Sequence, residues 1–207
     1  MIWILLSAVA GYLLGSINTS LVVGKLFYKK DVRQYGSGNA GATNTLRTLG
    51  KTAAAIVVIG DLLKGILACL VGRWLAGETS AGVYGGEYAA GIMAVIGHNW
   101  PLYFGFKGGK GVMTAFSVVL MFSPLAALIC LLAFIVIVAI TRYVSLGSII
   151  GGAAFPLVAW LMGEPLLLVL TGVLLGLLII IRHASNIRRL LEGNEKKLSF
   201  KDKPSGE

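Results

Sequence analysis

Long apolar stretches separated by short polar segments make up most of this chain. Seven apolar segments stand out, at residues 2–24, 52–75, 86–104, 111–123, 124–141, 147–162 and 165–181. A membrane core of about 30 Å needs roughly 20 helical residues to cross it, and the first three segments reach about that length. We expect the shorter segments either to be tilted or to be backed by neighbouring helices of the bundle. The pattern predicts an all-α, polytopic membrane protein with seven transmembrane helices in a single domain, residues 1–207.

Composition excludes the soluble and disordered classes. Hydrophobic residues form 57% of the 207 residues and charged residues only 13%, whereas soluble domains average about 45–50% and about 25%. The two cysteines, Cys69 and Cys130, each lie inside an apolar segment. They are therefore expected to be small buried side chains, with neither a disulfide nor a metal site between them.

The basic residues predict the orientation in the membrane. The net charge is +9, and 16 of the 18 Lys and Arg residues fall in residues 25–51, 105–110, 142–146 and the tail from residue 182. Seven spans place all four segments on one side, and basic loops favour the cytoplasm. Merging 111–141 into one span would put the basic tail outside. The sequence therefore predicts an N-terminus outside and a cytoplasmic C-terminus.

The first cytoplasmic segment is dense in small residues and neutral donors. It reads Gly-Ser-Gly-Asn-Ala-Gly-Ala-Thr-Asn over residues 36–44, which we call the glycine–asparagine loop, and Arg47 follows. Consecutive backbone N–H groups bind anions, and a guanidinium fork matches phosphate. The predicted phosphate-binding residues are Ser37, Gly38, Asn39, Gly41, Thr43, Asn44 and Arg47. The alternative is a flexible loop in which Thr43 caps a short helix at 44–50.

The second cytoplasmic segment combines glycines and lysines at the start of an apolar segment. Gly-His-Asn-Trp-Pro at 97–101 precedes Lys-Gly-Gly-Lys-Gly at 107–111, which we call the lysine–glycine loop. A helix N-terminus with exposed N–H groups is a phosphate site. The candidates are His98, Lys107, Gly108, Gly109, Lys110 and Gly111. No Walker A motif aligns here, so nucleotide hydrolysis is not implied. The alternatives are a tight turn between spans and, for His98, a satisfied interfacial histidine.

The third cytoplasmic segment opens with His183 and Asn186, whose spacing places them on one helical face. The following basic residues, Arg188 and Arg189, equally favour an amphipathic helix on anionic lipid. In the short turn at 142–146, Ser145, together with the nearby Ser148, is expected to reach the same site. Alone, these serines would be ordinary helix caps.

One pair of ionisable residues lies within a predicted span. Asp61 and Lys64 are three residues apart, so their side chains are able to form an ion pair. Charged groups at this depth are costly and are usually paired or functional, and the sequence leaves both readings open. Aspartates occur only at positions 31, 61 and 202, so no carboxylate cluster for a metal is predicted.

All three polar segments face the same membrane surface, beside acyl chains. Such a protein is expected to handle a phosphorylated amphiphile, or a soluble phosphate ester together with a lipid. The competing class is a transporter or channel for a phosphorylated anion, which would favour internal repeats that the sequence does not show. A metal-dependent lipid phosphotransferase would need the missing aspartate cluster.

The three segments resemble the motifs of the bacterial acyl-phosphate-dependent glycerol-3-phosphate acyltransferases. The matching residues are 37–47, 97–112 and 183–195, and the resemblance extends over the whole chain. It implies transfer of a fatty acyl group from acyl phosphate to the 1-hydroxyl of sn-glycerol 3-phosphate, giving lysophosphatidic acid and phosphate. This is the first acylation of phospholipid biosynthesis, on the cytoplasmic side of the bacterial plasma (inner) membrane. No cofactor, metal, nucleic acid or obligatory protein partner is implied.

The resemblance also implies roles for individual residues. Ser37, Arg47, His183 and Asn186 match catalytic positions, and the lysine–glycine loop matches a phosphate-binding region for glycerol 3-phosphate. Glu195 matches a structural position. Asp61, Lys64 and Arg188 are also expected to support the site, on the strength of their charge and position rather than of the resemblance. Neither histidine begins an H-x-x-x-x-D pair, so His183 and a substrate phosphate oxygen both remain as proton acceptors. The assignment of each loop to one of the two phosphates, the chain-length preference and the oligomeric state also stay open.

Overall fold

The computed structural model describes residues 1–78 and 84–199, and this part of the chain is all-helical, with no strand. The all-α prediction is therefore confirmed. Ten α-helices are described: α1 Ile2–Ser16, α2 Thr19–Phe27, α3 Ala42–Leu49, α4 Lys51–Ala76, α5 Gly85–Asn99, α6 Val112–Phe122, α7 Pro124–Thr141, α8 Val144–Leu161, α9 Leu166–Arg182 and α10 Ala184–Leu191. Short 3₁₀ helices cover Val32–Gln34 and Leu102–Phe104.

The helices form two compact units. The first unit comprises residues 1–114, in which α1, α4 and α5 pack against one another and α2 and α3 pack on α4. The second unit comprises residues 115–198, in which α8 packs against both α7 and α9. Both predicted buried cysteines are buried and free of disulfides.

The first apolar segment is not one helix, as the pattern 2–24 predicted, but two. The break lies at Ile17–Asn18, where Asn18 has extended backbone angles and its Oδ1 accepts the Leu21 N–H at 3.1 Å. Asparagine and its polar neighbours favour such local hydrogen bonds over a continuous helix. The Asn18 amide also donates to the carbonyl of Ala40 at 3.2 Å, in the glycine–asparagine loop. The break therefore directs a polar side chain towards a candidate site.

Small residues bring α1 and α5 into close contact. A Cβ added at Gly15 would lie 2.6 Å from the Ala94 Cα, and one added at Gly97 would collide with the Tyr12 carbonyl. Close approach through glycine and alanine is a common way for helices to pack in membranes. As a result, the end of α5, which carries His98, is fixed against the end of α1.

Other element boundaries differ modestly from the sequence expectation. The 86–104 segment ends as a helix at Asn99 because Trp100 precedes a proline. In the second unit, α8 begins at Val144 rather than 147, because Arg142 adopts a left-handed conformation with φ 64° and turns the chain at once.

Four helical stretches are long and apolar enough to cross a membrane: Ile2–Phe27, Lys51–Ala76, Pro124–Thr141 and Val144–Leu161. A fifth is present if α9 and α10, which meet at 60°, count as one bent span. By helical rise, α5 and α6 are only about 22 and about 16 Å long. The fold therefore supports a multi-pass membrane protein, while seven spans and their orientation stay predictions.

Candidate active site

The glycine–asparagine loop has a defined backbone in the first unit. Gly36 and Gly38 adopt positive φ values of 62° and 72°, which side chains with a Cβ rarely tolerate. The loop ends where α3 begins at Ala42, with Gly41 as the capping residue and no side-chain cap. The alternative that Thr43 caps a helix at 44–50 is therefore wrong: Thr43 lies in the first turn of α3.

Asn44 organises this loop from inside. Its Oδ1 accepts the Ser37 N–H at 2.8 Å, and its Nδ2 donates to the carbonyls of Val32 and Tyr35 at 2.9 and 3.1 Å. Asn44 is buried, whereas Ser37 is exposed. The amide of Asn44 thus holds the loop's backbone, which differs from its expected role as a phosphate ligand.

The lysine–glycine loop folds back onto the end of α5. The N–H of Gly109 donates to the His98 carbonyl at 3.1 Å, and the N–H of Gly108 donates to the Asn99 carbonyl at 3.3 Å. A Cβ at Gly109 would collide with Nε2 of His98 and lie 2.6 Å from the Ala40 carbonyl oxygen. Gly109 is therefore the point where the two candidate loops meet, and no side chain fits there. The loop then leads into α6, as predicted.

A buried charge cluster lies beneath this meeting point. Asp61 and Lys64 form the ion pair that their spacing allows, with 2.8 Å between Oδ1 and Nζ and side chains only 3% and 7% exposed. Nζ of Lys64 also contacts the Ile17 carbonyl at 3.2 Å and Nδ1 of His98 at 2.7 Å, and Thr19 donates to Asp61 at 3.1 Å. The pair is therefore satisfied by neighbours on other helices.

His98 connects this charge cluster to the lysine–glycine loop. Its Nδ1 lies 2.7 Å from Nζ of Lys64 and 3.6 Å from Oδ1 of Asp61. The other ring nitrogen, Nε2, faces Gly109. The predicted ion pair and the predicted motif are therefore joined by one histidine ring.

Arg33, held by Asp31, contacts the turn at Phe104–Lys107, although neither residue belongs to the predicted motifs. Arg33 donates two hydrogen bonds to the Asp31 carboxylate, at 2.9 and 2.7 Å, and one from Nη1 to the Phe104 carbonyl at 2.9 Å. The hydrogen bond from Arg33 lowers the pKa of Asp31 to about 2. The sequence did contain a signal for this ion pair. The chain has only nine Asp and Glu residues, and one of them, Asp31, lies two residues from Arg33 just ahead of the glycine–asparagine loop.

The third segment lies in the second unit. His183 joins α9 to α10 and is buried, with Nδ1 2.8 Å from the Ile179 carbonyl. A carbonyl only accepts, so Nδ1 carries the proton and Nε2 is the acceptor nitrogen of the neutral ring. This tautomer is the one that can take a proton through Nε2.

Glu195 collects three side chains of the second unit around one carboxylate. Oε1 accepts from Asn186 at 2.6 Å and from Ser145 at 2.7 Å, and Oε2 accepts from Arg189 at 2.7 Å. Burial alone would raise the pKa of Glu195, but these hydrogen bonds outweigh it and the net pKa lies below its usual range. Glu195 therefore fixes the orientation of the Asn186 amide.

The neighbouring residues have different contacts. Arg188 is 81% exposed and pairs with Glu192 at 2.8 Å, four residues along α10. Ser148 donates to the Val144 carbonyl within α8, and Ser145 is not a cap because Tyr143 precedes the helix. Among residues 1–78 and 84–199, no cluster of three or more His, Cys, Asp or Glu side chains is arranged to hold a metal ion.

The fold defines a helical membrane protein in which two glycine-rich loops meet at Gly109 and Ala40, and this chain is similar to proteins of known function. The sequence profile of the glycerol-3-phosphate acyltransferases matches residues 5–193. The Thermoanaerobacter pseudethanolicus glycerol-3-phosphate acyltransferase is 45% identical over 95% of this chain and 96% of its own length. The Clostridioides difficile enzyme is 44% identical over 94% and 95%.

A solved structure agrees with these sequence relatives. The crystal structure of PlsY, an integral membrane glycerol 3-phosphate acyltransferase in its glycerol 3-phosphate form, has a TM-score of 0.87 at 40% identity. The similarity covers 95% of this chain and 96% of that one. Its lysophosphatidic acid form has a TM-score of 0.84. The chain therefore belongs to the glycerol-3-phosphate acyltransferase family.

Proposed function

We propose that this glycerol-3-phosphate acyltransferase uses an acyl phosphate as its acyl donor. The acyl group goes to the 1-hydroxyl of sn-glycerol 3-phosphate, and the products are lysophosphatidic acid and inorganic phosphate. One observation carries the proposal: the two glycine-rich loops, each of which we propose to bind an anion, meet at Gly109 and Ala40. Adjacent anion sites suit a reaction in which both substrates carry a phosphate.

The chemistry needs little more than alignment and charge neutralisation. An acyl phosphate is a mixed anhydride, so its carbonyl carbon is already activated. The glycerol oxygen attacks that carbon, the bond to the bridging oxygen breaks, and phosphate leaves with the electron pair. Holding two anionic substrates together and balancing their charge supplies most of the catalysis.

Residue roles follow from the chemistry of the two loops. Lys107, Lys110 and the N–H groups of the lysine–glycine loop bind the phosphate of glycerol 3-phosphate. Ser37, Arg47 and the N–H groups of the glycine–asparagine loop bind the phosphate of the donor. Gly38, Asn39, Gly41 and Thr43 line that second site, while Asn44 keeps its backbone in place.

The proposed proton acceptor is His183. Its Nδ1 faces the Ile179 carbonyl at 2.8 Å, so Nε2 is the nitrogen that takes the hydroxyl proton. Asn186, oriented by Glu195, positions the glycerol backbone. Histidine is the side chain that most often serves as a general base in enzymes.

The direct test of the donor is a stoichiometry. Purified protein in detergent, given synthetic acyl phosphate and glycerol 3-phosphate, should release one phosphate for each lysophosphatidic acid formed. No nucleotide is added, and activity should persist in the presence of a chelator. Complete and reversible loss of acyl transfer on adding the chelator would show that a metal takes part.

We propose seven spans with both loops and the third segment in the cytoplasm, on the strength of the basic-residue distribution. Asn194→Cys should react with a membrane-impermeant thiol reagent only after cells are opened, because Asn194 is exposed and follows α10. Glu78→Cys, just past α4, is the opposite-side control and should react in intact cells. The native cysteines are buried, so background labelling is low. Labelling of position 194 in intact cells would contradict the topology.

A further inference from the structure

We infer that the Asp31–Arg33 ion pair is a positioning element for substrate binding. The pair holds the turn at Phe104–Lys107 and, through it, the lysine–glycine loop in its binding conformation. This inference rests on the proposed role of that loop in binding glycerol 3-phosphate. Neither residue belongs to the three motifs.

The guanidinium of Arg33 has an acceptor on each of its three nitrogens. Nε and Nη2 donate to the two carboxylate oxygens of Asp31, and Nη1 donates to the carbonyls of Phe104 at 2.9 Å and Lys107 at 3.2 Å. Asp31 also accepts the Arg33 backbone N–H at 3.0 Å. The side chain of Arg33 is only 24% exposed, and that of Asp31 only 17%. Asp31 therefore aims the guanidinium, and the guanidinium holds the turn.

The turn held by Arg33 has an unfavourable backbone. Gly105 and Phe106 both adopt left-handed conformations, with φ values of 66° and 59°. Phenylalanine has a Cβ and disfavours this region, and its side chain is 54% exposed, so packing gives it little support. The two carbonyls that Arg33 contacts flank these residues on either side. The Phe106 N–H donates to the Pro101 carbonyl at 2.9 Å, and the two hydrogen bonds from Arg33 add support to this shape from outside the turn.

Arg33 is itself anchored to the glycine–asparagine loop. Asn44 donates to the carbonyls of Val32 and Tyr35, on either side of Arg33 in the chain. The carbonyl oxygen of Arg33 lies 3.4 Å from the position of a Cβ at Gly38. Arg33 thus links the two anion-binding loops, so that the position of one depends on the other.

Lysine cannot replace arginine in this arrangement. A planar guanidinium satisfies a carboxylate and two carbonyls at fixed angles, whereas an ammonium is a single point charge on a flexible stem. Arg33→Lys should therefore keep the charge and lose the geometry. The expected consequence is a loop that binds its substrate less tightly in a fold that remains intact.

The test is a comparison of steady-state kinetics and thermal unfolding in detergent. Arg33→Lys should raise the KM for glycerol 3-phosphate about ten- to a hundredfold, as expected for charge-assisted hydrogen bonds, and leave kcat within about threefold. Asp31→Asn should act in the same direction, and the double variant should show less than the combined effect. Lys30→Met, which removes a neighbouring cation beside the Tyr35 ring, is the matched control and should behave as wild type.

The remaining outcomes separate this inference from the proposed function. An unchanged KM in Arg33→Lys, or a fall in kcat and unfolding temperature at constant KM, would overturn the positioning role. Lys107→Met provides the reference: an unchanged KM for both substrates there would overturn the proposed role of the loop. A rise in the KM for acyl phosphate instead, in both Arg33→Lys and Lys107→Met, would retain the positioning role and reverse the assignment of the loop's substrate.

Discussion

His183→Ala should lower kcat by about 10²–10⁴, the range for loss of a general base. The physical reason is the tautomer: the Ile179 carbonyl faces Nδ1 at 2.8 Å, so Nε2 is the nitrogen that takes the proton from the 1-hydroxyl. The acidic limb of the pH–rate profile, set by protonation of the ring, should disappear with the side chain. The measurement is kcat against pH at saturating concentrations of both substrates.

A matched variant separates catalysis from orientation. His183→Asn offers a donor for the Ile179 carbonyl but cannot serve as a base at neutral pH, so it should be as impaired as the alanine variant. If a substrate phosphate takes the proton instead, both variants should mainly raise the KM for glycerol 3-phosphate. An intact acidic limb with near-normal kcat would rule out His183 as the base.

Gly109→Ala should lower kcat/KM for glycerol 3-phosphate by roughly a hundredfold, because a displacement of about 1 Å at a binding loop has effects of that size. The new Cβ would collide with the His98 ring and lie 2.6 Å from the Ala40 carbonyl oxygen. The ring is held by the Lys64 ammonium and the carbonyl by the Asn18 amide, so the loop must move. Steady-state kinetics with glycerol 3-phosphate varied would measure the effect.

The control for Gly109→Ala is a glycine-to-alanine change at a position that has room for a methyl group, Gly151 in α8. A Cβ at Gly151 meets only ordinary contacts, with the Cys130 carbonyl oxygen at 3.5 Å, so Gly151→Ala should keep wild-type kinetics. The unfolding temperature of both variants shows whether the fold survives. Wild-type kinetics in Gly109→Ala would mean that the loop is not held between His98 and Ala40.

Apolar periodicity was enough to predict most helices but not the break within the first. A run such as 2–24 has the same hydrophobicity whether it forms one helix or two. The choice was made by the Asn18 side chain, whose hydrogen bonds to the Leu21 N–H and the Ala40 carbonyl compete with the helix. The second of these partners lies 22 residues away, so a local pattern does not show it.

The charged residues of the first unit also show that a local pattern predicts contacts within one helix but not contacts between distant segments. The i, i+3 spacing of Asp61 and Lys64 predicted their ion pair, because both lie on one helix. The contact between Lys64 and His98 joins two helices, so the spacing along the sequence does not predict it. Arg33 looked like an ordinary basic loop residue, and only tertiary structure shows that it donates to the carbonyls of Phe104 and Lys107.

The most direct test of the proposed chemistry is an isotope measurement. An acyl phosphate labelled with ¹⁸O in the bridging position is converted by the purified protein in the presence of glycerol 3-phosphate, and both products are analysed by mass spectrometry. Attack of the hydroxyl on the carbonyl carbon breaks the bond between carbon and the bridging oxygen. All of the label should therefore appear in inorganic phosphate, with unlabelled lysophosphatidic acid in equal amount. Label in the acyl product, or transfer only from a thioester donor, would contradict the account.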